Sequence, residues 1–419
     1  LTTVRLALLS LRNRWLTAVL AVLAIAVSVM LLLGVEKVRV GARASFANTI
    51  ASTDLIVGAR TGGIQLLLYT VFRIGDATNN ISWRSYQAVA ARPEAAWSVP
   101  LSLGDSHRGF RVLGTSTDYF TRYRYRRDQS LEFQAGAPFA DLFDTVLGAD
   151  VAGTLGYRLG DPIVVAHGLG EIETSLHDDK PFRVAGILRK TGTPVDRTVH
   201  VSLEAIEAIH IDWQGGRRDP SQAMSAAEVA QLPLQPRAIT AALVGLTSRL
   251  GVFRLQRFIN EFRDEPLTAI LPGVALQQLW SLVATAETAL LAVSAMVVVT
   301  AILGMVTMVL ATLNERRREV AILRAVGAGP RTIVALMVSE AVILTTAGVL
   351  AGIGAVYVGL LLARGPVDAA YGIYLEIGPP TATELQALAA IIVAGALAGL
   401  LPAWRAYRLS LADGMTVRT

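Results

Sequence analysis

Residues 288–314 carry no charge, and residues 332–363 carry one, Glu340. Each run exceeds the ~20 residues a helix needs to cross a hydrocarbon layer of ~30 Å. The stretch between them, 314–331, holds Arg316, Arg317, Arg318, Arg324 and Arg331, together with Glu315 and Glu319. Arginine beside a span favours the cytoplasmic side. Val320, Leu323 and Val326 recur three apart, and Ile322 and Ala325 widen that face. This spacing predicts a short amphipathic helix, ended by Gly327, Gly329 and Pro330. Arg-rich loops between spans commonly do no more than set topology. A short helix joining two spans is also well placed to receive force from a soluble partner.

Two further apolar runs complete the membrane pattern. The first covers 15–35, which is 21 residues without a charge. A signal peptide would have a shorter apolar core of about 7–15 residues and a small-residue cleavage site. The reading here is an uncleaved first span, entered from the cytoplasm. Before it, Val4, Leu8 and Leu11 share a helical face with Arg5 and Arg12 off it, which predicts an amphipathic helix over 1–14 on the membrane surface. The last run covers 385–404 and is followed by Arg405 and Arg408. The expected order is therefore a surface helix (1–14), a first span (15–35), an outer domain (36–282) and a second span (284–313). A cytoplasmic segment (314–331), a third span (332–363), a short outer loop (364–384), a fourth span (385–404) and a cytoplasmic tail (405–419) follow. No stretch of 36–282 is long and apolar enough to span. Long translocated domains largely escape the positive-inside bias, so its arginines do not oppose an extracytoplasmic location.

Composition agrees. Of 419 residues, 53% are hydrophobic, and the mean hydropathy is +0.49, which argues against a wholly soluble protein. The net charge of +5 is largely explained by arginines flanking spans. Lysine occurs at Lys37, Lys180 and Lys190, never after glycine, so a phosphate-binding Gly-Lys-Ser/Thr loop is absent. If ATP drives this protein, another chain hydrolyses it. The absence of cysteine removes disulfides, thiolate metal sites and cysteine nucleophiles.

In the outer domain, strand-like runs recur at 54–57, 97–101, 110–113, 162–166, 182–188 and 198–202. Helical signals lie at 82–91, 150–155, 203–209 and 250–262, so the expected class is α+β. Residues 211–238 read as a loop or hinge.

The order of residues carries a resemblance. Arg317-Arg318-Glu319-Val-Ala-Ile-Leu-Arg324-Ala-Val-Gly327-Ala resembles the cytoplasmic segment between the second and third spans of ABC permeases of the MacB/FtsX/LolC type. Thr53 to Gly58, Val112 to Thr115 with Asp118-Tyr119-Phe120, Val146 to Asp161 and Phe182 to Leu188 resemble successive parts of that family's periplasmic core. Pro402, Ala403, Arg405, Ala406 and Gly414 resemble its closing phrase. The resemblance implies a bacterial inner-membrane permease subunit with four transmembrane helices and a large extracytoplasmic α+β domain between the first and second. It implies a non-catalytic chain that works as a homodimer, or with a similar subunit, on a cytoplasmic ABC ATPase that holds ATP and magnesium. Glu315, Arg316, Arg317, Arg318, Glu319, Arg324 and Gly327 would form the ATPase-coupling segment. ATP binding would then move the outer domain, a mechanotransmission, to export or extract an envelope substrate. The family leaves other roles open: regulation of a periplasmic enzyme, or transport of a metal or small ligand with a periplasmic binding protein or adaptor.

Within the third span, Glu340 lies nine residues past Arg331, ~13 Å along a helix. A carboxylate there is either functional or paired with an arginine of the segment. Gly348-Val-Leu-Ala-Gly352 and Gly395-Ala-Leu-Ala-Gly399 allow close helix packing, within the chain or between copies. His167, His177, Asp178 and Asp179 form the local metal-type constellation, with Glu171 and Glu173 nearby, and zinc is the ion such donors suit. The same residues also read as a solvated hairpin tip. No Gly-x-Ser-x-Gly elbow accompanies the serines and histidines. Asp196 beside Thr191-Gly-Thr-Pro194 reads as turn chemistry. The basic aromatic stretch Tyr119 to Arg127 suits lipid or protein contact better than nucleic acid, because it lies in the outer domain.

Overall fold

The computed structural model describes residues 2–47, 49–126, 128–168, 177–214, 217–218, 221, 224–312, 317–371 and 377–408. The chain divides into two compact units. One comprises 1–41, 284–366 and 375–419; the other comprises 42–283 and 367–374.

The first unit is helical. Among the described residues four helices are long and apolar enough to cross a membrane, over Trp15–Gly41, Pro272–Ala311, Arg331–Val367 and Ala382–Arg405. The helices outrun the apolar stretches that reveal them. The first is continuous over Trp15–Ala47 instead of stopping at 35, and the second starts at Pro272 instead of 284. The third runs from Pro330 to Tyr371. Hydropathy marks where lipid contact ends, whereas the hydrogen-bond ladder continues through any residue that tolerates helix. Charges at these extensions are tied down: Arg39 pairs with Glu36 at 2.6 Å and with Glu287 at 3.8 Å, and Lys37 pairs with Glu384 at 3.1 Å. The fourth helix is really two, Ala382–Ala398 and Leu400–Arg408. Pro402 has no N–H to give the carbonyl of Ala398 one turn earlier, which accounts for the break. The amphipathic start is a helix over Thr2–Asn13.

Small residues set the packing of this bundle. A Cβ on Gly348 would lie 2.6 Å from the Cβ of Ile25, and one on Gly352 would lie 2.7 Å from the Cβ of Val29. The glycines of the third helix thus receive the first helix. Gly395 and Gly399 likewise receive Thr345 and Ala341. Both small-residue patterns are filled within one chain.

The second unit is built on one sheet of 11 strands. We number them β1 (Leu55–Ala59), β2 (Ala95–His107), β3 (Phe110–Thr115), β4 (Phe133–Gly136), β5 (Asp144–Leu147) and β6 (Pro162–Ile163). The rest are β7 (Ala166–His167), β8 (Phe182–Leu188), β9 (Thr198–Ser202), β10 (Ala241–Leu246) and β11 (Leu267–Ile270). The order is β11-β1-β10-β2-β3-β9-β5-β8-β4, with β7 on β2 and β6 on β8. The pairs β3–β9 and β5–β8 are parallel and the others antiparallel.

Both faces of the sheet are buried. Ile56, Leu113, Val146 and Leu243 enter one core with Tyr119 and Phe120. Their chain neighbours Leu55, Val57, Ala242 and Val244 enter a second, and Val112 and Leu147 a third. Alternation sends successive side chains to opposite faces, so a strand covered on both sides reads as an unbroken apolar run. Helices Trp83–Ala90, Leu203–Ile209 and Val252–Asn260 lie close to the expected places. Residues expected as one loop, 211–238, include a short strand pair at 213–214 and 217–218 and a helix Ala226–Val229. Asp196 does serve a turn: its carboxylate accepts from the backbone N–H groups of Thr191 and Gly192 and from the Thr191 hydroxyl.

Candidate functional sites

The segment between the second and third spans forms a helix over Arg317–Ala325. Glu315 and Arg316 lie outside the described residues, as do the side chains of Arg317 and Arg318. The helix ends as Gly327 predicts. With φ at +95°, Gly327 turns the chain, its N–H donates to the carbonyl of Arg324, and that of Ala328 donates to Leu323. This is a Schellman cap, which places glycine at the left-handed position.

The apolar face divides in two. Leu323 packs against a buried cluster of Ala7, Leu336, Met337 and Ala403, tying the segment to the N-terminal helix Thr2–Asn13, to the third span and to the helix Leu400–Arg408. Ile322 and Val326 stay outside, 56% and 85% exposed. The expectation of one continuous face is thus corrected: Leu323 is the anchor, and its neighbours point away from the bundle. Glu319 adds a second tether, 3.6 Å from Arg14. Arg324 is half-buried. Glu340 is 3% exposed and lines a crevice with Ser10, Arg14, Thr17 and Leu344. Arg14, at the end of the N-terminal segment, thus lines the same crevice as Glu340.

In the second unit a different constellation appears. Strands β2 and β7 pair with His167 opposite Asp105. The β2–β3 ladder slips register between Leu103 and Ser106, a bulge at Asp105; such a bulge re-aims a side chain. His210 caps the C-terminus of helix Leu203–Ile209, and His177 opens a turn that ends at Lys180. His167 Nδ1 lies 3.0 Å from His210 Nε2 and 3.2 Å from Asp105 Oδ1, and His210 Nε2 lies 3.4 Å from that same oxygen. His177 is 1% exposed. Donor atoms of Asp105, His167, His177 and His210 all fall within 4.8 Å of one another. Trp213 covers the group, its ring centroid 4.9 Å from that of His177 and 5.2 Å from that of His167.

The electrostatics follow from burial and this carboxylate. Burial opposes the Asp105 anion, but His167 and His210 override it and hold the carboxyl well below its ordinary range. Burial pushes His177 down to about 4, helped by His210. Burial also opposes the His210 cation, yet Asp105 raises this ring above its ordinary value.

Of the four expected ligand residues, His167 and His177 join this group and Asp178 and Asp179 do not. Asp178 is exposed on the turn. Asp179 accepts from the buried Lys180 ammonium at 2.8 Å, which Asp212 also accepts at 3.2 Å. A carboxylate that neutralises a buried cation is already committed. Glu171 and Glu173 lie outside the described residues. Asp105 and His210 are 62 and 43 residues from His167, so local spacing could not find them; the β2–β7 pairing brings Asp105 near. The other two histidines are structural. His107 bonds the Val164 carbonyl and the Tyr157 hydroxyl, and His200 approaches the Val146 carbonyl.

Comparison with known proteins accounts for both units. The MacB-like periplasmic core domain matches residues 18–238, and the FtsX-like permease C-terminal region matches 291–411. The Pyoverdine export ATP-binding/permease protein PvdT of Pseudomonas fluorescens is 36% identical over 115 residues, which is 27% of this chain and 16% of that protein. Its namesake in Pseudomonas syringae pv. tomato is 28% identical over 251 residues, 58% of this chain and 34% of that one. The chain thus spans about a third or less of the length of these relatives. Among solved structures, the periplasmic region of MacB from Actinobacillus actinomycetemcomitans aligns with 55% of this chain and 94% of its own at 10% identity, with a TM-score of 0.34. On the two family matches, which together run from residue 18 to residue 411, this chain belongs to the MacB/FtsX type of ABC transporter permease.

Proposed function

We propose that the chain is the membrane-spanning half of an inner-membrane ABC transporter. In this reading it couples a cytoplasmic ATPase to movement of its periplasmic domain and catalyses nothing itself. The observation that carries the reading is the helix Arg317–Ala325, which is anchored at Leu323 while Ile322 and Val326 project outward. An apolar pair beside charges, held by one buried anchor, is the form of a helix that docks into a partner's groove. Glu319 and Arg324, with the arginines 316–318 adjacent in sequence, would choose the partner and set its register. Force arriving there would reach the N-terminal helix Thr2–Asn13, the third span and the helix Leu400–Arg408 through Leu323, and the N-terminal segment again through the Glu319–Arg14 contact. The relatives' printed name, a pyoverdine exporter with an ATP-binding part, supports export of an envelope substrate. A dimer, with a second copy or a similar permease, would present two docking helices to two ATPases.

The test is co-purification of the full chain with its ATPase from native membranes. Ile322→Asp with Val326→Asp should lower ATPase recovery by more than about tenfold, as loss of a buried apolar anchor of about 2 kcal/mol or more requires. Phe253→Asp, which alters a 71% exposed aromatic residue of the outer domain, should leave recovery unchanged. Equal recovery with all variants would reject the docking helix.

A further inference from the structure

We infer that Asp105, His167, His177 and His210 form a zinc site in the periplasmic domain. The donor set is the first observation. Three imidazoles and one carboxylate are an ordinary tetrahedral set for zinc, with metal–ligand distances near 2.0–2.1 Å. Such a tetrahedron has edges of about 3.3 Å. The triangle of His167 Nδ1, His210 Nε2 and Asp105 Oδ1 has edges of 3.0, 3.2 and 3.4 Å. With all four donors within 4.8 Å, a shift of at most about 1.5 Å in His177 closes the set.

The second observation is orphaned polarity. His177 Nε2 and Asp105 Oδ1 are buried without a directed hydrogen bond, on residues 1% and 3% exposed. Buried polar atoms are normally satisfied, and two orphans beside one cluster call for a shared partner. A cation satisfies both. Hydrogen bonding among the rings alone does not, because it employs His167 and His210 and leaves His177 over.

The third observation is the support behind the ligands. His210 Nδ1 donates to the Ile206 carbonyl at 2.8 Å, which leaves the Nε2 lone pair facing the cluster. That arrangement is how metal-binding histidines are oriented. The buried Lys180, which could have repelled an ion, is neutralised by Asp179 and Asp212. His167 is 43% exposed at its side chain and gives the ion a way in. A bound ion would fasten four separate segments together: β2, β7, the turn at His177 and the end of helix Leu203–Ile209.

The experiment uses the full chain in detergent, carrying a tag without histidine and stripped by a chelator. Dialysis against micromolar zinc, followed by elemental analysis, should return about one zinc per chain. X-ray absorption should show three imidazoles and one oxygen ligand. His167→Gln, at the exposed rim, and His210→Ala should each weaken binding by more than ~100-fold, beyond the 10–100-fold that loss of an outer-shell partner costs. Asp178→Asn should bind as the parent does. If His210→Ala fails to fold, His167→Gln decides. Substoichiometric zinc, binding that survives His167→Gln, or a spectrum with fewer than three imidazoles would overturn the site. ATPase coupling is not needed for any of these readouts.

Discussion

Gly352→Ala should weaken the membrane bundle, whereas Gly354→Ala, two residues along the same helix, should not. A Cβ at Gly352 would stand 2.7 Å from Val29 Cβ, 2.8 Å from Val29 Cγ1 and 2.8 Å from the Ala26 carbonyl oxygen. Carbon contacts settle near 3.5–4.0 Å, so the added methyl is close by about 1 Å. Val29 is fully buried and the carbonyl belongs to helix backbone, so neither yields without moving the first helix away from the third. Overpacking of this kind costs about 1–3 kcal/mol. At Gly354 a Cβ meets nothing within 4 Å. Both substitutions gain the same intrinsic helix preference, about 1 kcal/mol, so the difference between them isolates the clash. The assay is unfolding of the full chain in mixed micelles by increasing dodecyl sulfate, followed by loss of helical circular dichroism. Gly352→Ala should be less stable than Gly354→Ala by about 1–3 kcal/mol. If the two unfold together, the glycine is not a contact within the chain. A change in oligomeric state in place of stability would move it to an interface between copies.

Two further outcomes follow from buried charge. Lys37 Nζ lies 3.1 Å from Glu384, whose side chain is 2% exposed and also accepts from the Thr381 backbone N–H. Lys37→Met strands that carboxylate and should destabilise the bundle by about 3 kcal/mol, while Lys37→Met with Glu384→Gln should recover much of the loss, measured by the same unfolding series. In the outer domain, burial depresses His200 to about 3, with help from the Arg73 charge. The sign is that of a histidine kept neutral: the unfolded chain binds the proton first, so stability is full above about 6.5 and falls as pH drops toward 3. Between pH 6.5 and 5 the loss is about 2 kcal/mol, and hydrogen exchange in β3 and β9 should report it in the parent but not in His200→Gln.

What could be read from sequence was whatever physics writes locally. Spans show as apolar runs because lipid leaves no alternative, and the end of helix Arg317–Ala325 shows because Gly327 supplies a left-handed residue. Strands β8 and β9 and helix Leu203–Ile209 were found at their observed limits. β5, β10 and β11 are not among the strand-like runs of the sequence, although β5 is buried throughout like β1 and the other two are buried at all but one residue each. β10 is an unbroken apolar run of six with no alternation, and β5 and β11 are four-residue strands, which include Asp144, Thr145 and Thr268, too short to show a period of their own. The helices outlast the apolar runs because charge does not end a helix: Glu36, Lys37 and Arg39 continue the first one in paired form.

The histidine cluster is the sharper case. Sequence proximity proposed Asp178 and Asp179 as partners of His177, because only neighbours can be seen along a chain. Adjacent residues on a turn diverge, however. Asp179 goes to Lys180 and Asp178 to the surface. The oxygen beside the imidazoles is Asp105, delivered by antiparallel pairing with the strand that carries His167, and His210 arrives on a helix end packed beneath. One sequence signal does point there: Asp105 sits within an otherwise strand-forming stretch, a costly place for a carboxylate that is to be covered. A buried charge inside a strand asks for cationic or metal company from across the sheet. That question, put to each of the five histidines, separates the three that surround Asp105 from His107 and His200, whose rings answer to backbone carbonyls.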